Sequence, residues 1–160
     1  MANDTNEIRS TLNNLIETLK DSEQGFRDSA EKLQSSAIRS QFQSYSYQRA
    51  RFASELQKHV SQIGGTPETS GSTAGAIHRG WIGLKAAITG NDDHAILEEA
   101  ERGEDSAVKN YRESIAKDLP SDIKAVIEEQ YRDVLAAHNQ VKALRDGVAT
   151  STGSSTPRTY

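Results

Sequence analysis

Hydrophobic side chains recur along this chain at steps of three and four, the period of a helix with one buried face. A first stripe runs Ile8, Leu12, Leu15, Leu19, Phe26, Ala30 and Leu33, and a second runs Ile38, Phe42, Tyr45, Phe52, Leu56, Val60 and Ile63. After the turn-rich stretch GGTPETSGST, Ala74, Ile77, Trp81, Leu84 and Ile88 share one face. Leu97, Ala100, Val108, Tyr111 and Ile115 form the next stripe. The last takes Ile123, Ile127, Tyr131 and Val134, then Ala137 or His138, then Val141, Leu144 and Val148. The spacing predicts helices over 5–34, 37–63, 73–89, 92–117 and 120–148, packed as a single domain over 1–148. The polar remainder, ATSTGSSTPRTY at 149–160, is expected to be a flexible tail.

Local signals agree with these boundaries. Glu7 follows Asp4 by three, the spacing of a capping box, and Gly64-Gly65 is a sound C-terminal stop. Asn91 or Asp92 is placed to cap the fourth helix, and Pro120 stands where a helix start tolerates it. Gly25 lies inside the first helix, at a cost of about 1 kcal/mol relative to alanine.

Three of the stripes break at their midpoints. The second carries Gln48 and Arg49 between Tyr45 and Phe52, the first carries Ser22 and Glu23, and the fourth carries Glu104. A guanidinium in the middle of a buried stripe is penalised by several kcal/mol, in order of magnitude, unless it is paired. The expectation is a central polar cluster in which the Arg49 fork bridges Glu104 and Glu23. Gln48 would add an amide contact, and Tyr111 or Tyr131 a hydroxyl. The competing arrangement has Arg49 reaching out along the bundle edge with its head in water.

The two halves of the chain resemble one another. FRDSAEK at 26–32 matches YRESIAK at 111–117, an offset of 85 that also pairs Leu12 with Leu97, Ile38 with Ile123, Phe42 with Ile127 and Leu56 with Val141. Two related hairpins joined by a long segment predict an all-α fold, a four-helix bundle with one long crossover connection carrying a short extra helix.

Composition narrows the function. Of 160 residues, 34% are apolar and 26% charged, with both signs interspersed and a net charge of −4, so no basic stripe offers itself to nucleic acid or an anionic membrane. No apolar run approaches the roughly 20 residues of a membrane span. There is no cysteine, which excludes disulfides and thiol chemistry. The opening MANDTNEIRS does not read as a secretory leader, and a cytoplasmic location is expected. No Gly-x-Ser-x-Gly elbow or phosphate-binding glycine loop occurs, and no catalytic residue is assigned.

Metal ligation has weak candidates. Glu55 and His59 lie four apart on the second helix, and His138 with Glu128 or Glu129 is available on the last; such groups from facing helices could hold zinc or iron. The same spacing also describes an ordinary surface pair. His94 falls in a cap region, and His78 is expected to pack beside Trp81 at the bundle end. Trp81 reads as a core or dimer anchor. The acidic pairs Asp92-Asp93, Glu98-Glu99 and Glu128-Glu129 are expected to face mostly solvent.

The arrangement resembles the ferritin-like superfamily and, more closely, a bacterial four-helix-bundle family, domain of unknown function 2383. The residues carrying the resemblance are 12–32, QRARFASEL at 48–56, GSTAGAIHRGWIGLKAAITG at 71–90, 96–114 and AAHNQVKALRD at 136–146. Di-metal members of the superfamily place a Glu on each of two helices and a Glu-x-x-His pair on each of the other two. Here Glu104 precedes Tyr111 as a first ligand would, but its repeat partner is Leu19, with Glu23 one turn away. The expected pairs fall near Arg49 and Phe52 and near Val134 and Ala137, and no Glu-x-x-His occurs in the chain. The resemblance therefore implies the fold, with an Arg–Glu cluster replacing the metals and no cofactor. It implies hardly anything of an activity; with no catalytic motif in the chain, the expected function is a non-enzymatic scaffold or interaction role, which the resemblance associates with bacterial stress survival, as a homo-oligomer (dimer or larger) with an unidentified protein partner. The alternative is a degenerate metal-carboxylate protein that binds or oxidises iron.

Overall fold

Each long stripe folds into one long helix. The computed structural model describes residues 5–71, 81, 83–90 and 92–148. Its helices are α1 (Thr5–Lys32), α2 (Ser36–Gln62), α3 (Leu84–Thr89), α4 (Asp93–Ile115) and α5 (Ser121–Gly147). Of the connector helix expected over 73–89, α3 is the part that falls among the described residues. Residues 73–80 and 82, the tail at 149–160 and the cap at Asp4 lie outside them.

Helix ends follow from local chemistry. Ser35 caps α2 by accepting from the Ile38 N–H at 3.4 Å, and Asp92 caps α4 by accepting from the His94 N–H at 3.0 Å. At the far end of α2, Gly64 takes φ 77°, which a side chain would resist. Its N–H then bonds to the Ser61 carbonyl at 3.0 Å and the Gly65 N–H to the Val60 carbonyl at 2.9 Å, closing a Schellman stop. Asp93 accepts from the backbone N–H groups of Gln34 (2.9 Å) and Ser35 (3.2 Å), tying the start of α4 to the α1–α2 turn.

α1 pairs with α2 and α4 with α5 as antiparallel hairpins, and the hairpins join through α1 against α4 and α2 against α5. The α1–α4 seam is antiparallel. Lys117 donates to the Thr11 hydroxyl at 3.3 Å, and Asn110 to the Thr18 hydroxyl at 2.9 Å. The connection from α2 to α4 must therefore travel the length of the bundle. Its first part lies along α1, where the Asn13 amide donates to the Thr66 carbonyl (3.2 Å) and accepts from the Glu68 N–H (2.8 Å). The fold is an all-α four-helix bundle with a crossover carrying a short helix.

The repeat is visible in the core. Both members of the pairs Leu12/Leu97, Ile38/Ile123, Phe42/Ile127, Leu56/Val141 and Phe26/Tyr111 are buried. Buried apolar residues form two clusters. One gathers Leu12, Leu19, Phe52, Leu56, Tyr111, Ile127 and Val134 among others, and the other gathers Phe26, Phe42, Trp81, Ile96, Ala100 and Val141 among others. On α1, α2 and α4 the boundary between them falls at the interrupted step, and on α5 it falls at Ala137, so the bundle has a waist.

Candidate functional site

The waist is polar because the stripes supply no apolar side chain there. α2 turns Arg49 inward at the step between Phe42 and Phe52, and α4 turns Glu104 inward between Ala100 and Ala107; both side chains have no exposed surface. Nη1 donates to Glu104 Oε2 and Nη2 to Glu104 Oε1, each at 2.6 Å, a two-pronged pair with matched geometry. Nε donates to Gln48 Oε1 at 3.3 Å, and the guanidinium carbon lies 5.3 Å from the centre of the Phe26 ring. Burial pulls the Arg49 pKa down, but the Glu104 charge and its hydrogen bonds more than offset this, holding it above the ordinary value. Arg49 is thus a fixed cation, and it does not reach out to water as the competing arrangement required.

Two members of the expected cluster stand elsewhere. Glu23 does not meet Arg49: its carboxylate is held by Lys20 at 3.2 Å and Arg27 at 3.8 Å on the side of α1. The inward residue at that step is Ser22, 1% exposed, because one further position turns the side chain through about 100° around a helix. Tyr131 is half-buried and turns its hydroxyl outward to accept from Arg112 Nε at 3.0 Å, while its ring stacks on Tyr111 with centroids 6.5 Å apart.

Tyr111 is fully buried beside the pair and donates to Gln130 Oε1 at 2.8 Å. Gln130, absent from the expected set, then donates through Nε2 to the Phe52 carbonyl (3.3 Å) and to Glu55 Oε1 (2.7 Å). Burial pushes the Tyr111 phenol up well beyond its usual range; the Arg49 charge opposes this, and Glu104 and Glu55 reinforce it. Tyr45 is raised by burial too, against the bond from Gln41.

The weak metal candidates are dispersed. Glu55 takes the bond from Gln130, His59 is half-buried on α2, and Glu128 and Glu129 are exposed. His138 meets Asp105 at 2.5 Å through Nε2 and Asn139 at 3.3 Å through Nδ1. Among the described residues, no group of three or more His, Asp or Glu side chains could hold a metal ion. Among them, too, no helix is long and apolar enough to cross a membrane.

Trp81 is 2% exposed and belongs to the core. Its ring fills a slot between Gly25 of α1 and Gly103 of α4, where a Cβ on either glycine would overlap the indole. It meets Phe26 edge-on at 5.2 Å. A glycine inside each of two long helices was the signal for this contact, since such a position is otherwise a cost. Glu99 also departs from expectation. It is 6% exposed, accepts from the Gly83 N–H at 3.1 Å and pairs with Arg102, fastening α3 to α4. His94 pairs with Glu98 at 2.9 Å, whereas His78 lies outside the described residues.

The family described as domain of unknown function (DUF2383) matches residues 7–117, and the chain belongs to it. That match spans α1 to α4 and so includes Arg49, Trp81 and Glu104. No curated protein matches the chain.

Proposed function

We propose that this member of the DUF2383 family is a non-enzymatic helical-bundle protein with a scaffold or interaction role, acting in bacterial stress survival in the cytoplasm. The stress role rests only on the resemblance of the chain to bacterial bundle families. The observation that carries the non-enzymatic part is the self-satisfied Arg49–Glu104 pair. Both carboxylate oxygens and both Nη atoms are spent on each other, away from water, at the level where a ferritin-like di-metal protein keeps its ligands. The carboxylate is paired with a cation and has no exposed surface on which to meet a substrate, and a guanidinium cannot give up its proton to act as an acid.

The alternative, a degenerate protein that binds or oxidises iron, needs Glu104 to exchange Arg49 for a metal. Metal analysis of protein purified without added metal, then after incubation with ferrous iron or zinc under conditions that exclude loose surface binding, separates the two. The proposal expects less than about a tenth of an equivalent; one tightly held equivalent, lost in Glu104→Gln, overturns it.

Self-association is part of this reading. With Trp81 in the core, the anchor of choice is Tyr47, which is 78% exposed on the outer face of α2. It borders a groove of about 340 Å³ between α1 and α2 lined by Glu23, Arg27, Glu31 and Gln43.

A further inference from the structure

We infer that the Arg49–Glu104 pair sets the pairing specificity of the hairpins: through it α1–α2 accepts α4–α5 and rejects a second copy of itself, and α4–α5 does likewise. This goes beyond the proposed role and does not depend on it.

The need for a selector follows from the repeat. At the offset of 85 the two hairpins bury the same kind of side chain, as at Leu12 and Leu97 or Phe42 and Ile127. The seam between them also has a register that the repeat maps onto α1 alone. Thr11 meets Lys117 at 3.3 Å and Thr18 meets Asn110 at 2.9 Å. The residues equivalent to Lys117 and Asn110 are Lys32 and Gly25. Two α1 helices from two chains would therefore lie antiparallel in this same register, with Thr11 against Lys32 of the other chain. Apolar burial is non-directional and by itself does not tell like pairing from unlike.

The waist tells them apart. In the observed bundle it holds one cation and one carboxylate, joined by two bonds of 2.6 Å, with Leu19 and Val134 at the equivalent positions; none of the four side chains has exposed surface. Two α1–α2 hairpins would bring together two Arg49 guanidiniums and two Leu19 side chains, with no carboxylate from either position. Two α4–α5 hairpins would bring two Glu104 carboxylates and two Val134 side chains, with no guanidinium. Either arrangement buries like charges without their partner, which is strongly destabilising, whereas unlike pairing satisfies both at once. Discrimination then comes from the penalty placed on the wrong partner as much as from the bond to the right one.

The test uses the full-length protein. Equal amounts of carbon-13-labelled and unlabelled chain are unfolded together in urea and refolded together, and isotope-filtered nuclear Overhauser spectra separate contacts within a chain from contacts between chains. The unmodified protein is expected to show Thr11 against Lys117 and Thr18 against Asn110 within one chain. In Arg49→Val with Glu104→Leu, contacts between chains from Thr11 to Lys32 and from Thr18 to Gly25 are expected to rise by about tenfold or more over the unmodified protein. Arg49→Gln with Glu104→Gln removes both charges while keeping polar groups at the waist, and the same rise is expected there. Association through Tyr47 leaves Thr11, 2% exposed, facing Lys117, so it does not produce these contacts. Either variant folded with the unmodified contact pattern overturns the inference. Contacts from Thr11 to Lys32 between unmodified chains, as strong as those to Lys117, overturn it without any variant.

Discussion

Arg49 and Glu104 meet across the diagonal of the bundle, on α2 and α4, whose backbones do not otherwise approach. The two-pronged ion pair is what joins these two helices at the waist. Removing one partner leaves the other buried and alone. Arg49→Met and Glu104→Leu are each expected to destabilise the fold by about 3–5 kcal/mol, whereas the double variant returns to within about 1–2 kcal/mol of the native protein or exceeds it. Urea unfolding of the four proteins measures this. Additive losses in the double variant would show that the two side chains do not act as a unit.

The buried phenols give a pH signature. Burial raises the Tyr111 pKa above its ordinary value, and Tyr45 is raised in the same direction. An unfolded tyrosine releases its proton near pH 10, while the folded one retains it. The stability these groups contribute is therefore complete below about pH 10 and is lost as pH rises from there through the folded pKa, by up to about 1.4 kcal/mol per unit and group. Tyr111→Phe removes one such group along with its bond to Gln130, so it should lose about 1 kcal/mol at neutral pH yet show a shallower decline from about pH 9 to 11. Parallel slopes in urea midpoints for the two proteins would place the titration elsewhere.

The fold was legible because helical periodicity is local, and the interrupted steps at Arg49 and Glu104 stood out against it. What the sequence could not resolve was angular or distant. Ser22 and Glu23 differ by one position, and only packing decides which points inward. Gln130 looked like any polar residue of α5 until Tyr111 supplied a hydroxyl for it. Trp81 needed two glycines from helices that are remote in sequence, and Gly25 alone read as a defect. Glu99 was misplaced for the same reason: its partner is the Gly83 N–H on the connection.

Tyr47 tests self-association. Tyr47, 78% exposed on the outer face of α2, is the proposed anchor, because its ring offers a partner a large apolar surface with a polar tip. Light scattering at micromolar concentration is expected to return a dimer or larger species for the native protein and a monomer for Tyr47→Glu, with unchanged helix content in both. A native protein that runs as a monomer removes the proposed assembly outright.

The internal repeat makes the strongest claim. At an offset of 85, Arg49 corresponds to Val134 and Glu104 to Leu19, and both of those residues are fully buried in the same apolar cluster. Helices α1 and α5 form the other diagonal, so the positions equivalent to the charged pair are apolar. Even the ring beneath the guanidinium has an equivalent, since Phe26 corresponds to Tyr111. If the halves are related in this way, the pair can be moved. The quadruple variant Arg49→Val, Glu104→Leu, Leu19→Glu, Val134→Arg should fold with a stability within about 3 kcal/mol of native, while Leu19→Glu alone should lose at least that much by burying an unpaired carboxylate. Thermal unfolding of both proteins decides it. A transplanted pair no better tolerated than the lone carboxylate of the Leu19→Glu variant would mean that the two diagonals differ in more than these four side chains.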